Sequence, residues 1–174
     1  MKISMAKLMQ ILTAALLGGC ASAPEGLTPI SGFEVDRYLG AWYEIARLDH
    51  SFERGLTQVT AEYSLRDDGS IQVINRGYDA RSSKWREARA TARFMGPADV
   101  ASLKVTFFWP FWGAYHVIIL DRDAYSYAMV TSSNRDYLWI LARQKRLDEN
   151  IQNGLLSQAR DWGFRTDDLI FVDH

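Results

Sequence analysis

The strongest constraint on the fold is a succession of eight segments whose side chains have the period of a β-strand. Within residues 58–65, the apolar Val59, Ala61 and Tyr63 alternate with polar neighbours, which is typical of a strand with one buried face. The segments lie near residues 41–48, 56–65, 70–78, 85–95, 102–109, 113–121, 125–132 and 136–143, and turn-forming residues separate them. The sequence therefore predicts an all-β fold of antiparallel strands joined in series.

Small inward residues and doubly apolar strands predict that these strands close into a partly hollow barrel. Ala88, Ala90 and Ala92 face one way within the fourth segment, so the interior has room there. Residues 117–120 and 138–141 are apolar at every position, which indicates strands covered on both faces. Eight antiparallel strands make a barrel just wide enough for a small ligand, and closure removes exposed edges.

A single helix near the C-terminus is predicted to provide the outer cover. Asp148 can cap its start and Gly163 can close its end. Apolar residues recur between them at helical spacing, namely Ile151, Leu155, Ala159 and Trp162. A last apolar run at 169–172 could pair at an edge of the sheet.

The N-terminal residues carry the three parts of a bacterial export signal. Lys2 and Lys7 are positively charged, residues 8–17 are mostly apolar, and two small glycines precede Cys20, which is the single cysteine of the chain. This pattern resembles the lipobox of bacterial lipoproteins, in which the chain is cut before a cysteine that becomes acylated. The resemblance implies a signal peptide over residues 1–19 and lipidation at Cys20. Because Ala21 and not Asp comes next, it also implies lipid anchoring at the periplasmic face of the outer membrane.

Composition and length limit the chain beyond the signal peptide to one domain. Residues 20–30 are polar and turn-rich and are interpreted as a lipidated linker, which leaves 31–174 as the barrel domain. The net charge is -1, with 20 Lys and Arg against 21 Asp and Glu and no basic block, so no nucleic-acid partner is predicted. Acylation of Cys20 would leave no thiol for a disulfide.

Three motifs then stand in order along the strands. They are Gly-Ala-Trp-Tyr-Glu at 40–44, Asp-Arg-Asp at 121–123 and Arg143 at the end of the eighth strand. Their order and spacing resemble the lipocalin motifs, and residues 42–54 resemble the bacterial outer-membrane lipocalins, relatives of apolipoprotein D. The resemblance implies an eight-stranded antiparallel up-and-down barrel with one C-terminal helix packed outside. It also implies structural roles for Gly40, Trp42, Asp121 and Arg143, with the Arg143 guanidinium over the Trp42 indole at the closed end.

The same resemblance implies a pocket inside the barrel and a ring of loops around its mouth. The predicted pocket residues are Val59, Ala61, Tyr63, Val73, Phe94, Val105, Phe107, Tyr115 and Trp139. The predicted mouth residues are Phe52, Arg54, Trp109, Phe111, Trp112 and Arg135. Glu44 has the parity of Trp42 and should point inward, where it would pair with an arginine or take up a proton.

The run Phe-Trp-Pro-Phe-Trp at 108–112 is unusual for a tight loop, because its four aromatic residues cannot all lie in a core. Four interpretations stay open. The loop could grip a ligand tail, insert into a bilayer, form a subunit contact such as a homodimer interface, or act as a structural lid.

These observations predict a lipid-anchored lipocalin that binds fatty acids, lysophospholipids or similar amphiphiles, for storage, scavenging or transport in the cell envelope. Its predicted partners are that ligand and, through the N-terminal lipid, the outer membrane. No catalytic residue, metal or cofactor is predicted, since Gly-x-Ser-x-Gly is absent and His50, His116 and His174 are scattered. Two alternatives remain, a lipid-modifying enzyme on a lipocalin barrel and an envelope protein whose aromatic loop docks a partner.

Overall fold

The computed structural model describes residues 22–174, and it is an antiparallel barrel with an extra strand and a helix outside it. The barrel strands are β1 (Gly40–Leu48), β2 (Leu56–Leu65), β3 (Ile71–Asp79), β4 (Lys84–Phe94), β5 (Ser102–Phe108), β6 (Phe111–Leu120), β7 (Tyr127–Thr131) and β8 (Leu138–Ala142). Each strand pairs with the next, and β1 closes the barrel by pairing with both β2 and β8. The predicted up-and-down barrel is confirmed.

A short helix, α1 (Val35–Tyr38), precedes β1 and closes one end of the barrel. Its single turn is too short to give a helical pattern in the sequence. Tyr38 is buried against Trp42, with 4.7 Å between the ring centroids, and the Trp42 indole N–H donates to the Tyr38 carbonyl at 2.8 Å. This end of the barrel is therefore filled by side chains.

The helix predicted near the C-terminus forms outside the barrel. It is α2 (Glu149–Asp161), and the Asp148 carboxylate accepts hydrogen bonds from the backbone N–H groups of Asn150 and Ile151 at 2.9 and 3.3 Å. Gly163 comes after it with φ +80°, a conformation that favours glycine. A 3₁₀ helix (Thr166–Asp168) leads into β9 (Leu169–Phe171), which pairs with β1 as the apolar run at 169–172 suggested.

Two apolar cores lie on either side of the late strands. On β6, Val117 belongs to the core inside the barrel, whereas the adjacent Ile118 belongs to a second core that includes Leu155 and Ala159 of α2. The prediction that these strands are covered on both faces is therefore confirmed. Within the described residues, no helix is long and apolar enough to cross a membrane.

Residues 22–30, predicted as a linker, pack against the barrel instead of running free. Pro24 and Leu27 are buried, and the N–H of Ile30 donates to the carbonyl oxygen of Val117 at 2.9 Å. The apolar side chains in this turn-rich segment are buried against the barrel. The overall composition of the segment did not predict this packing. Residues 1–19 and Cys20 lie outside the described residues, so the signal peptide and the lipidation site stay predictions.

Arg143 ties the closed end together. Its Cζ lies 3.9 Å from the centroid of the Trp42 ring, and its Nη atoms donate to the carbonyls of Arg37, Leu39 and Ala41 at 2.8 to 2.9 Å. Gly40 has φ +89°, and a Cβ there would lie 3.6 Å from Arg143 Nη1. The structure thus places Gly40, Trp42 and Arg143 together as the resemblance implied.

Asp121 organises the turn between β6 and β7 at the same end. Its carboxylate accepts hydrogen bonds from the backbone N–H groups of Asp123 and Ser126 at 3.2 and 3.1 Å, and from the Ser126 hydroxyl. Hydrogen bonds to the charged form, of which the one from the Ser126 hydroxyl has the largest effect, lower the pKa of Asp121. The carboxylate is therefore a turn-forming group here.

Candidate ligand-binding site

A cavity of about 620 Å³ occupies the barrel interior and opens at the end opposite Trp42. Of the predicted pocket residues, those that line it are Val59, Ala61, Tyr63, Val73, Val105, Phe107, Tyr115 and Trp139. The small side chain of Ala92 also lines the wall, in line with the room expected at the fourth segment. The walls are mainly apolar, which suits an aliphatic ligand.

Phe94 is the exception among the predicted pocket residues. It packs against the interior core at the closed end, 6.3 Å from Phe33 between ring centroids, and is not part of the cavity lining. Its inward direction was predicted from the alternation of side chains along the strand. That alternation does not tell how far along the barrel axis a residue lies. Phe33 and Tyr38, from the segment before β1, fill the barrel at that level and raise the floor above Phe94.

Three tyrosine hydroxyls form the floor of the cavity. The Tyr115 hydroxyl oxygen lies 2.7 Å from that of Tyr38 and 2.9 Å from that of Tyr63. Burial raises the pKa of all three phenols above their usual value, so they stay neutral. The floor is therefore polar but uncharged.

A buried cluster of charged residues forms one side of the cavity. Glu44 Oε1 accepts a hydrogen bond from Arg47 Nη1 at 2.6 Å, so the arginine partner expected for Glu44 is present. Glu53 Oε2 lies 2.9 Å from His50 Nε2 and accepts a hydrogen bond from Trp139 Nε1 at 3.2 Å. Glu44 and Glu53 both line the cavity.

The pKa values of the two acids of this cluster are shifted in opposite directions. Burial, followed by the charge of Glu53, raises the pKa of Glu44 well above its usual value. Burial also acts to raise the pKa of Glu53, but the hydrogen bond and charge of His50, with help from Trp139 and Arg47, outweigh it and lower that pKa. The two acids of the cluster are therefore shifted in opposite directions, Glu44 toward the protonated form and Glu53 toward the ionised form.

Sequence reasoning missed Arg47, His50 and Glu53 as members of this cluster. The pairing of β1 with β8 shifts register between Glu44 and Ala46, which places both Ile45 and Ala46 in the outer core. After this bulge the parity of the strand reverses and Arg47 turns inward, where strict alternation from Trp42 would place it outside. The weak signal was a basic residue in an otherwise apolar stretch.

Three of the six predicted mouth residues line the cavity, and the other three do not. Phe52, Phe111 and Trp112 line the cavity, whereas Trp109 is 83% exposed and does not. Arg54 is exposed and forms an ion pair with Asp49 at 2.7 Å. Among the predicted mouth residues, the three aromatic rings that line the cavity are the ones that a ligand inside it would contact.

Arg135 was predicted at the cavity mouth, but its side chain does not line the cavity. Its Nε donates to the carbonyl oxygen of Trp162 at 2.6 Å, and its Nη2 donates to that of Glu25 at 2.7 Å. The guanidinium therefore holds the N-terminal segment and the end of α2 against the barrel. Ser132 and Ser133, from the same loop, line the cavity instead.

The barrel wall is open beside the mouth, between β4 and β5. Their register pairs run only from Thr91 with Thr106 to Phe94 with Leu103, so the first half of β4 has no β5 partner in the described structure. A second cavity of about 600 Å³ lies in this gap. It shares Phe107 with the main cavity, among other residues, so the two spaces adjoin.

Comparison with known proteins identifies the family of this chain. Residues 33–174 match the family model of a lipocalin-like domain. The chain belongs to the lipocalin family. This lipocalin is 49% identical over 162 residues to the outer membrane lipoprotein Blc of Vibrio cholerae, covering 93% of this chain and 95% of the relative. It is 47% identical over 168 residues to the protein of the same name from Escherichia coli K12, covering 95% and 94%.

More distant lipocalins share the fold. Apolipoprotein D of Macaca fascicularis is 33% identical over 143 residues, covering 75% of this chain and 69% of the relative. The structure of insecticyanin from Manduca sexta aligns with a TM-score of 0.67 at 19% identity, covering 89% and 87%. The predicted resemblance is confirmed, and so is the predicted localisation as a lipid-anchored protein of the outer membrane, since the Vibrio and Escherichia relatives are outer membrane lipoproteins.

The lipocalin cavity offers a ligand three chemically distinct zones. Its walls are apolar, its floor and one side present polar groups that include the carboxyl groups of Glu44 and Glu53, and its rim is aromatic. Among residues 22–174, no three His, Cys, Asp or Glu side chains are grouped so that they could hold a metal ion. The arrangement can enclose a hydrocarbon chain and leave a polar head group at the mouth.

Proposed function

We propose that this lipocalin binds single-chain amphiphiles, such as fatty acids or lysophospholipids, for storage, scavenging or transport at the periplasmic face of the outer membrane. The observation that carries the proposal is the apolar cavity of about 620 Å³ that opens through an aromatic mouth. Its size is within the roughly 300–1,000 Å³ of small-molecule sites. Acylation of Cys20 would keep the protein where such lipids are released.

Burial of the ligand tail would supply the binding free energy. Each methylene moved from water into the cavity contributes about 0.8 kcal/mol. About ten methylenes therefore contribute roughly 8 kcal/mol, from which the ordering costs of association must be subtracted. We expect affinity to rise smoothly with chain length until the tail reaches the tyrosine floor.

The apolar walls of the cavity favour entry of the tail first. A carboxylate or phosphate moved into the cavity would lose its hydration in a medium of low dielectric constant, which is unfavourable. The head group would remain at the mouth, near Phe52, Trp112 and the hydroxyls of Ser132 and Ser133. The proposed role is binding and not chemical conversion of the lipid.

The test is a titration of the chain from residue 21 to residue 174 with lysophospholipid and with fatty acid below their micellar concentrations. Tryptophan fluorescence reports binding, since Trp112 and Trp139 line the cavity. We expect saturation at a fixed stoichiometry with the ligand recovered intact. Recovery of cleaved lipid would favour the lipid-modifying enzyme, and the absence of any saturable response would contradict lipid binding.

A pair of variants on β2 controls for unspecific adsorption. Ala61→Phe places a ring in the cavity and should abolish most of the saturable signal. Ser64→Phe adds the same ring to an exposed position on the same strand and should leave the signal unchanged. Equal binding by the two variants would place the lipid somewhere other than the barrel interior.

A further inference from the structure

Three aromatic side chains project into solvent at the hairpin between β5 and β6. Phe108, Trp109 and Phe111 are 80, 83 and 77% exposed, and we refer to them as the aromatic tip. Exposed apolar patches of this kind mark interaction sites in soluble domains. Trp109 is not part of the cavity lining, so ligand contact does not account for its position.

The described N-terminal segment leaves the barrel at the same end as the aromatic tip. The Glu25 carbonyl oxygen is bound by Arg135, in the β7–β8 loop whose Ser132 and Ser133 line the cavity mouth. Aromatic contacts connect this loop with β5, because Phe52 lies 6.5 Å from Tyr137 and 6.4 Å from Phe107 between ring centroids. The residues closest to the predicted lipid anchor therefore adjoin the open end.

Chain length keeps the anchor near this end. Glu25 lies five positions after Cys20, and even a fully extended chain of that length spans at most about 17 Å. The 11 residues of β4 extend about 36 Å along the strand, or roughly 28 Å along the barrel axis at a tilt of about 40°. Cys20 is therefore attached within reach of the bilayer surface that the open end would meet.

The shape of the aromatic tip fits a fluid lipid surface. Its three exposed rings project from a two-residue turn, and aromatic side chains bury about 150–250 Å² each. Aromatic residues are also enriched where proteins meet the interfacial region of a bilayer.

We propose that the aromatic tip inserts into the surface of the membrane that holds the Cys20 lipid, so that the barrel stands with its mouth against the leaflet. This inference rests on the lipidation in the proposed function. It gives the ligand a route from the membrane into the cavity without passage through bulk water. The gap between β4 and β5 adjoins Phe107 and Phe108, so a side entrance would lie at the same lipid surface.

The experiment measures which tryptophans contact lipid in the acylated full-length protein. The protein is reconstituted into vesicles of phosphatidylethanolamine and phosphatidylglycerol that contain a brominated phospholipid, which quenches nearby tryptophan fluorescence. We expect wild-type fluorescence to be quenched and the quenched fraction to fall in Trp109→Phe, with Trp112 in the same hairpin giving the remainder. A reporter at the opposite end, Leu65→Trp in the Trp109→Phe background, should remain unquenched, since Leu65 is exposed near the closed end.

Three results would overturn the proposal. The first is quenching of Trp109 by acrylamide in water but not by brominated lipid, and the second is equal lipid quenching of the Leu65→Trp reporter. The third is protection of Trp109 from both quenchers together with a chemically crosslinked dimer, which would assign the aromatic tip to a second copy of the chain.

A lipid-uptake assay on the same samples separates this proposal from the proposed function. Trp109→Phe keeps the cavity lining intact, so we expect it to take up lysophospholipid as the wild type does. Uptake without quenching of Trp109 would contradict membrane insertion of the aromatic tip and leave the lipid-binding proposal in place. Quenching of Trp109 without uptake would remove the ligand assignment and leave the docking surface in place.

Discussion

The two ends of the barrel use the same residue type in opposite ways. At the closed end Trp42 is fully buried beneath Arg143, whereas at the open end Trp109 is 83% exposed on the aromatic tip. The first tryptophan satisfies its indole N–H on the carbonyl of Tyr38 and joins the core. A tryptophan therefore joins the core at one end of the barrel and faces solvent at the other.

The ends also differ in the partners of their arginine side chains. At the closed end Arg143 donates to backbone carbonyls and stacks on a ring, without an acidic partner among the hydrogen bonds seen in the described structure. Near the open end, Arg47 pairs with Glu44 in a buried cluster that also contains Glu53. The hydrogen bonds from Arg143 to backbone carbonyls close one end of the barrel. The acid cluster near the other end places polar groups on the cavity surface.

The largest effect should come from removing the closed-end indole. Trp42→Ala deletes a fully buried ring and the stacking surface of Arg143, so we expect a loss of about 3–5 kcal/mol in the free energy of unfolding. Urea denaturation monitored by circular dichroism measures it. Trp109→Ala is the matched control and should change stability by less than about 0.5 kcal/mol. Similar losses in the two variants would contradict the distinction between the ends.

The acid cluster should give the next largest effect, with a clear difference between its two acids. Glu53→Gln removes the charge that faces His50 and Arg47 in a buried site, which should destabilise the protein by about 3 kcal/mol. The raised pKa of Glu44 favours its neutral form, which glutamine resembles, so Glu44→Gln should lose less than about 1 kcal/mol. Denaturation of both variants in one buffer checks this order, and a larger loss for Glu44→Gln would reverse the protonation assignment.

Much of the fold could be predicted because local pattern and tertiary environment agree. In β2, alternation was sufficient to place Val59, Ala61 and Tyr63 on the cavity side. In α2, the cap at Asp148 and the glycine at Gly163 fix the ends of the helix by local hydrogen bonding and backbone conformation. These signals depend on near neighbours in the chain, which a sequence displays directly.

The site was less predictable because its geometry depends on contacts far apart in the chain. The bulge near Ile45 turns Arg47 inward, and only the pairing with β8 reveals it. The depth of Phe94 depends on Phe33 from a different segment. Arg135 binds carbonyls of residues 25 and 162, neither of which its sequence neighbourhood indicates. Strand alternation tells which face a side chain points to. Its position along the barrel axis and its contact partners depend on the assembled barrel.

The pH dependence of stability sharpens the assignment of the proton near the open end. The pKa of Glu44 is raised on folding, so the folded state keeps a proton that the unfolded chain loses above its ordinary pKa of 4.5. The contribution of Glu44 to the free energy of unfolding of the wild type should therefore fall as pH rises above that value. Glu44→Gln lacks this contribution, so its stability relative to the wild type should increase from pH 4 to pH 7. Denaturation curves at each pH test it, and parallel pH profiles would show that Glu44 titrates normally.

The smallest effect concerns the tether between the N-terminal segment and the open end. Arg135→Gln removes hydrogen bonds to the carbonyls of Glu25 and Trp162, so we expect a loss of about 1 kcal/mol in the free energy of unfolding. Limited proteolysis should also cut residues 22–27 sooner than in the wild type. Lysophospholipid affinity should not change, because the guanidinium faces away from the cavity. A marked fall in affinity without earlier proteolysis would return Arg135 to the mouth as a head-group ligand, and would remove the contact that fixes the anchor at the open end.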